Sequence, residues 1–198
     1  LNDGAGDYGG SSLTLARMGG AVADDVFSGS GTLSLSAGVA SLSGTPIASY
    51  TQSGGTLVLT FASGATQTQL NAALSSLAYS NTSDAPPASV QIGWNFNDGN
   101  TGAQGPGGAL NTSGSTTVNI TGVNDAPVIA GISSAIQNVT VGQAAELADF
   151  TVSDPDGANT NLTVTLTTTN GTLGGLTDAD TNTAGIQLTG TAAQINTA

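Results

Sequence analysis

Carboxylates are the side chains of this sequence that could do chemistry, and their positions favour cation binding. Asp154 and Asp156 form an Asp-Pro-Asp-Gly segment, and Asn124 and Asp125 stand together upstream. Calcium takes about six to eight hard oxygen ligands, which converging Asp and Asn side chains supply. The same residue order suits an ordinary solvated turn, so a calcium site and a turn are both open for Asp154 and Asp156.

A second group of acids lies in the first half of the chain. In a Greek-key sandwich Asp3 and Asp7, with Asn97 and Asp98, would lie at the end opposite to the Asn124 linker. They could form half of a calcium site whose other ligands belong to a preceding repeat. Solvated turns are the alternative for these residues.

Two further groups of acids are predicted to lie in loops or turns. Asp24 and Asp25 are expected in a loop at the linker end of the first unit, where a solvated loop is favoured and a contribution to the junction is the alternative. The segment 178–182 begins like an EF-hand loop, but Thr183 replaces the expected Gly and Thr189 stands at the position of the bidentate acid. A turn is therefore predicted for this segment.

Catalysis finds little support in the residue types. The 198 residues include no His, Lys or Cys, so a Ser nucleophile has no ordinary general base. A glycosidase needs two facing carboxylates beside sugar-stacking aromatics, yet aromatic residues make up only 4% of the chain. Trp94 is in phase with Ile92 and Phe96 and is predicted to be a core residue. We expect a protein that is not an enzyme.

Charge restricts the partners. The chain contains thirteen acidic residues and one basic residue, Arg17, so its formal net charge is −12. Arg17 is expected on an exposed strand face. Such a chain would be repelled by nucleic acid and by acidic membrane surfaces, whereas a divalent cation would be attracted. No apolar run approaches the roughly 18 to 20 residues that span a bilayer. No signal peptide is recognisable and Leu1 is not an initiator, so we interpret the sequence as a piece of a longer secreted protein.

Many short runs alternate between apolar and polar residues, which predicts half-buried antiparallel strands. The clearest runs are Leu13/Leu15, Leu33/Leu35, Leu57/Leu59/Phe61, Val90/Ile92/Trp94/Phe96, Val118/Ile120, Leu162/Val164/Leu166 and Ile186/Leu188. One stretch, from Thr66 to Leu77, has helical spacing and predicts one short helical connector.

An internal repeat divides the chain. Gln69-Leu70-Asn71 recurs as Gln194-Ile195-Asn196, and Leu13-Thr14-Leu15 resembles Leu162-Thr163-Val164. A linker around 122–128 contains Pro127, which would end strand pairing. We therefore predict two β-sandwich repeats, 1–123 without its N-terminal strands and 124–198 without its C-terminal strands.

The linker Asn124-Asp125-Ala126-Pro127-Val128, followed by Phe150-Thr151-Val152-Ser153-Asp154-Pro155-Asp156-Gly157, resembles the cadherin-like and Ig-like tandem repeats of giant bacterial surface adhesins. The segment from Thr82 to Gly102 resembles repeats of the same class. The resemblance implies all-β Greek-key sandwiches joined head to tail, with Ca2+ at the junctions. It also implies the ligands Asn124, Asp125, Asp154 and Asp156, with Glu146 as the accompanying Glu.

Three functions are open at this point. We expect an extracellular stalk or spacer of a bacterial adhesin or filament, stiffened by Ca2+, whose partners are neighbouring repeats or further copies of itself. The alternative is a self-assembling fibre subunit, in which copies complete each other by strand addition. A carbohydrate-binding module would need clustered exposed aromatics, which the sequence does not show.

Overall fold

The computed structural model describes residues 8–101 and 106–198. The chain divides into two compact units, unit 1 (Leu1–Thr121) and unit 2 (Gly122–Ala198); the sequence had placed this boundary after residue 123. Strands make up 40% of the structure, every sheet is antiparallel and the described residues form two short helices. The fold is therefore all-β, as predicted.

Unit 1 contains nine strands and one helix in its described residues. These are β1 (Ser12–Arg17), β2 (Asp25–Gly29), β3 (Leu33–Ser36), β4 (Val39–Leu42), β5 (Thr45–Ser53), β6 (Thr56–Phe61), α1 (Gln67–Ser75), β7 (Leu77–Asn81), β8 (Ser89–Asn97) and β9 (Asn111–Asn119). Seven strands form one sheet in the order β3-β4-β5-β6-β1-β8-β9, and β2 pairs with β7 in a second sheet. Strand β2 and helix α1 contact the seven-stranded sheet, so the unit has two layers.

The core of unit 1 lies between these layers and follows from the alternation of the strands. In β6, Leu57, Leu59 and Phe61 are fully buried, while Val58 and Thr60 between them face the other side of the sheet. Phe27 of β2 and Leu70 of α1 cover them from the second layer. Each such side chain contributes roughly 1.5 to 3 kcal/mol through its removal from water.

Trp94 lies outside this core, contrary to the prediction. It has the expected phase on β8, but 37% of the residue is exposed, whereas Ile92 and Phe96 are buried. The Trp94 ring lies beside Gly114 of β9, where any larger side chain would collide with it. Strand periodicity predicted which side of the sheet Trp94 lies on. It could not predict how far the second layer extends over that side.

Helix α1 begins at the N-cap Thr66. The Thr66 hydroxyl accepts from the Gln69 N–H, and the Gln69 side chain accepts from the Thr66 N–H at 2.9 Å, which completes a capping box. Leu70 and Ala73 are its buried residues, as the helical spacing predicted, whereas Leu74 of the same spacing is 37% exposed. The helix ends at Ser75, and Leu77, which the prediction included, begins strand β7.

Unit 2 is smaller and more open. Its elements are β10 (Val128–Ala130), β11 (Thr151–Ser153), β12 (Asn161–Leu166), β13 (Ile186–Thr191) and α2 (Ala192–Ile195). Strand β10 pairs with β11, and β12 pairs with β13. The buried core contains Val152, Leu162 and Ile195. Many apolar side chains of the segment between the linker and β11 are exposed, namely Val128, Ile129, Ile132, Ile136, Val139, Val141 and Leu147.

Helix α2 corrects the prediction of a single helical connector. Thr191 is its N-cap, and Gln194 completes the same capping box that Thr66 and Gln69 form at α1. The repeated Gln-x-Asn sequence therefore marks a repeated helix start. Asn196, which follows α2, holds β11 in place because its side-chain amide donates to the Val152 carbonyl and accepts from the Val152 N–H, both at 2.9 Å.

Candidate functional site

The loop after β11 and the linker meet within unit 2. The Asp125 N–H donates to Asp156 Oδ2 at 2.9 Å, and the Asp156 N–H donates to Asp154 Oδ1 at 2.9 Å. The Gly157 N–H reaches the Asp154 carbonyl at 3.3 Å, which closes the Asp-Pro-Asp-Gly turn. The turn expected as one alternative is therefore present, and the same turn holds the linker backbone.

The oxygen atoms of this loop are of the kinds that ligate a hard cation. Asp125, Asp154 and Asp156 are half-buried, and Asn124 is exposed beside them with its side-chain N–H on the Asp125 carbonyl at 3.2 Å. Carboxylate, amide and carbonyl oxygens are the ligands that Ca2+ takes. Within residues 8–101 and 106–198, however, no three acidic side chains lie close enough together to hold a metal ion. The fit is thus one of chemistry and adjacency, with the ligand shell incomplete.

Glu146 makes its observed hydrogen bond elsewhere in unit 2. Its backbone carbonyl accepts from the Gln137 side chain at 3.4 Å, and the same side chain accepts from the Ala148 N–H at 3.0 Å. Glu146 is exposed, and none of the hydrogen bonds of the described chain joins it to Asp125, Asp154 or Asp156. The structure places it in the segment that precedes β11.

Asp98 closes the loop between β8 and β9. Its Oδ1 accepts from the N–H groups of Leu110 at 2.9 Å and Asn100 at 3.1 Å, and its own N–H donates to the Leu110 carbonyl. Its observed contacts are therefore those of a turn residue. Asp3 and Asp7, the expected companions of Asp98, lie outside the described residues.

A buried ion pair in unit 1 was missed by the sequence reasoning. Arg17 Nη2 lies 2.6 Å from Asp25 Oδ1 and Arg17 Nε lies 2.8 Å from Asp25 Oδ2. The Tyr79 hydroxyl at 2.6 Å and the Asn81 amide at 2.9 Å also donate to Asp25 Oδ1. The side chain of Asp25 is fully buried and that of Arg17 is only 18% exposed, so the solvated loop expected for Asp25 and the exposed face expected for Arg17 are both wrong.

Opposing effects set the protonation of this cluster. Burial favours the neutral form of Asp25, but hydrogen bonds from Arg17, Tyr79 and Asn81 outweigh it and lower the pKa of the carboxyl. Hydrogen bonding to Asp25 raises the pKa of Arg17. Burial raises the pKa of Tyr79, so its hydroxyl stays a donor. The cluster links β1 of the large sheet with β2 and β7 of the second layer, which is a structural role.

One sequence signal could have revealed the pair. Asp25 and Phe27 alternate with Val26 on β2, so Asp25 shares the inward side with a buried aromatic residue. A buried carboxylate needs a cation or several donors, and the chain contains one cation, Arg17. The other partners are 54 and 56 residues away, which no local pattern indicates.

Comparison of the chain with protein-family models, with curated proteins and with solved structures found no match.

The loop that begins like an EF-hand consists of turns, as predicted. Asp178 Oδ1 accepts from the N–H groups of Gln187 at 2.9 Å and Asp180 at 3.2 Å. The Asn182 N–H and the Thr183 hydroxyl donate to Asp180, and these bonds lower the pKa of Asp180. This loop therefore satisfies its own carboxylates. In the described part of the chain neither helix is long enough to cross a membrane.

Proposed function

We propose that the chain is part of a structural stalk or spacer of an extracellular bacterial adhesin or filament, built from tandem Greek-key sandwich repeats and stiffened by Ca2+ at the linker. The role is mechanical and not enzymatic. Its partners are neighbouring repeats or further copies of the protein. The observation that carries the proposal is the 2.9 Å hydrogen bond from the linker N–H of Asp125 to the carboxylate of Asp156.

That bond supports stiffening because it fastens the linker to a defined loop. The Asp156 carboxylate accepts a hydrogen bond from the linker N–H of Asp125. The Asp154 carboxylate accepts one from the backbone N–H of Asp156 and so orients that residue. The remaining oxygens of both side chains carry negative charge, and Asp125, 31 residues from Asp156 in the sequence, adds another carboxylate on the linker residue that this bond holds. A bound Ca2+ would supply the positive charge that draws these oxygens together.

The acidic composition of unit 2 also supports a cation from solution. Its acidic residues are Asp125, Glu146, Asp149, Asp154, Asp156, Asp178 and Asp180, and it contains no Lys, Arg or His. No basic side chain of unit 2 therefore offsets the repulsion among these acidic side chains. A divalent ion relieves it at the place where two of the carboxylates already share one hydrogen-bonded turn.

The test is a calcium titration by calorimetry together with thermal unfolding of the full chain. Extracellular modules bind calcium with Kd of roughly 0.1 to 1 mM, so 10 mM calcium should stabilise unit 2 by about 1.4 to 2.7 kcal/mol. For a unit of this size that corresponds to a Tm increase of about 6 °C or more. Small-angle scattering should show a narrower distribution of interatomic distances with calcium than with chelator.

The informative variant is Asp156→Asn, because its amide oxygen can still accept from the Asp125 N–H while the charge is lost. We expect it to abolish most of the calcium effect on Tm and to change the Tm in chelator by less than about 2 °C. Asp149→Asn makes the same change of charge at an exposed position of unit 2 and is the matched control. Equal calcium responses of the two variants, or no response of the parent chain, would refute the proposed site.

A second function is favoured by one observation. Among the described residues, β12 pairs with a single strand, so a sheet edge of unit 2 is open to strand addition. A self-assembling fibre, in which copies complete each other through such edges, is the alternative proposal. Analytical ultracentrifugation tests it, since the chain alone would then form species larger than a monomer at micromolar concentration.

A further inference from the structure

Gln187 of β13 is buried on a side of its sheet where its neighbours are exposed. Only 4% of the residue is accessible, whereas Thr165, which faces it on β12, and Thr189, two residues further along β13, are exposed. Alternate residues of a strand and directly paired residues share one side of a sheet, so these three side chains point the same way. The cover over Gln187 therefore comes from another segment of the chain.

The segment 178–185 supplies that cover. The Gln187 N–H donates to Asp178 Oδ1 at 2.9 Å, and the Gln187 carbonyl accepts from the Ala179 N–H at 2.8 Å. The side-chain NH2 of Gln187 donates to the Ala184 carbonyl at 3.3 Å. Both ends of this segment are thus fastened to one residue, and the side-chain amide of Gln187 is enclosed beneath it.

The side-chain oxygen of Gln187 is buried but has no hydrogen-bond partner in the described part of the chain. Exchanging the amide oxygen and nitrogen does not remove the problem, because the oxygen would then face the Ala184 carbonyl, which is also an acceptor. A buried acceptor without a partner costs free energy, and such atoms indicate a bound water or ion.

The covering segment contains further oxygen atoms at the spacing of a calcium loop. Asp178, Asp180 and Asn182 alternate as the first three ligands of an EF-hand loop do, and Ala184 stands where that loop contributes a backbone carbonyl. Each of the two carboxylates accepts two hydrogen bonds. About half of the roughly four acceptor positions of each carboxylate therefore remain for a cation.

Gln187 also provides an oxygen near the position where an EF-hand loop has its last ligand. That ligand is a Glu, and Thr189 stands there in this chain. The Gln187 oxygen, two residues earlier, is neutral, so it adds a ligand without adding charge. A cation is favoured over a water because unit 2 has no basic side chain to offset the charges of Asp178 and Asp180.

We propose that Asp178, Asp180, Asn182 and the side-chain oxygen of Gln187 form a second Ca2+ site in unit 2, separate from the linker. Because affinity falls with the number of charged ligands, two carboxylates should give a Kd of about 5 mM. At 10 mM calcium such a site shifts the folding equilibrium about threefold, against at least about tenfold for the linker site. The inference goes beyond the proposed stalk and does not rest on it.

The experiment is a calcium chloride titration of the full chain to 50 mM, followed by NMR in 0.15 M NaCl, which screens nonspecific attraction. The chain carries Asp156→Asn, so that the linker does not compete for the ion. We expect the side-chain NH2 of Gln187 and the backbone amides of Asp180 and Asn182 to shift saturably, with a shared midpoint of about 5 mM. The amide of the exposed Asp149 should stay in place.

Two variants test the ligands. Gln187→Met has a side chain of similar length without the oxygen, and Asp180→Asn removes one charge at an exposed position, where misfolding is not expected. Each should raise the calcium midpoint of the remaining loop amides at least about fivefold, since loss of a group that supports a metal commonly weakens affinity by about tenfold or more. Asp149→Asn is the matched control and should leave the midpoint unchanged.

Two results would overturn the proposal. One is the absence of calcium-induced shifts at Asp180 and Asn182, and a bound water would then be the partner of Gln187. The other is an unchanged midpoint in Gln187→Met or in Asp180→Asn. The linker is followed separately through the Asp125 amide of the parent chain. Shifts at Asp125 alone would support the stalk and reject the loop site, and shifts in the loop alone would do the reverse.

Discussion

Replacing Arg17 with Met tests the buried ion pair of unit 1. The substitution keeps the apolar stem and removes two of the four hydrogen bonds to the Asp25 carboxylate. Removing one partner of a buried pair costs about 3 to 5 kcal/mol, because the other charge stays in the interior. Tyr79 and Asn81 still donate to Asp25, so we expect a loss near the lower limit, about 3 kcal/mol of unfolding free energy.

The effect of Asp25→Asn on the stability of unit 1 should change sign when Arg17 is replaced. In the parent chain Asp25→Asn should destabilise unit 1, because an amide presents N–H groups where Arg17 donates. In the Arg17→Met background the same change should be stabilising, since it removes the uncompensated charge and keeps an oxygen for Tyr79 and Asn81. The coupling between the two sites should then exceed about 2 kcal/mol.

The pH dependence follows from the direction of the pKa shift. The pKa of Asp25 is lowered in the folded chain, so the pair contributes its full stability above the unfolded-state pKa of about 4 and loses it as the pH falls through the folded-state pKa. In Arg17→Met, burial would instead raise the pKa of Asp25, and acid would neutralise a buried unpaired charge. The stability difference between the parent and the variant should therefore narrow as the pH is lowered from 7 to about 3.

Urea unfolding followed by tryptophan fluorescence measures these changes in unit 1 alone, because Trp94 is the single tryptophan of the chain and lies in that unit. Asp84→Asn, at an exposed position of unit 1, alters the net charge as Asp25→Asn does and should shift stability by less than about 0.5 kcal/mol. A cost below 1 kcal/mol for Arg17→Met at pH 7, or an additive double variant, would refute the reasoning.

Two further comparisons use matched sites within the chain. Thr66→Ala and Thr191→Ala each remove a capping box and should cost about 1 kcal/mol in unit 1 and unit 2 respectively, measured by chemical unfolding; a cost at only one site would show that the two helix starts are not equivalent. In the turn between β5 and β6, the added Cβ of Gly54→Ala meets open space, so only the φ of +55° should lower the free energy of unfolding, by about 1 kcal/mol. The added Cβ of Gly55→Ala, at a φ of +78°, collides with the Val22 backbone and should lower it by about 3 kcal/mol. Equal costs for the two glycines would contradict the packing of Val22 on this turn.

Strand periodicity predicted the all-β fold well because it is a local property. The seven alternating runs lie in β1, β3, β6, β8, β9, β12 and β13, with Ile120 just beyond the end of β9. Helix α1 was equally accessible, since Leu70, Ala73 and their neighbours recur over several turns. Helix α2 has four residues, too few for a period. The signals that indicated it were the Gln-x-Asn repeat and the Thr-x-x-Gln capping pattern, both of which it shares with α1.

Long-range packing explains what the sequence left open. Trp94 had the correct phase, but the second layer does not cover it. Arg17 and Asp25 are eight residues apart on strands of different sheets, so no spacing rule brings them together. At the linker the sequence identified Asp154 and Asp156 as one turn and Asp125 as its neighbour, whereas the position of Glu146 depended on the irregular segment before β11.

Arg17, the single basic residue of the chain, affects the charge balance of both units. Arg17 is committed to Asp25 inside unit 1, where four donors already satisfy one carboxylate. It is therefore unavailable as a counter-charge elsewhere, and the half-buried acids of the linker turn receive only backbone N–H donors. Screening of that turn would then come from ions in the solvent, so we expect the order of unit 2 to depend on ions more than the order of unit 1 does. Calcium should consequently stabilise unit 2 selectively, and the Trp94 signal of unit 1 should be the internal reference that stays constant.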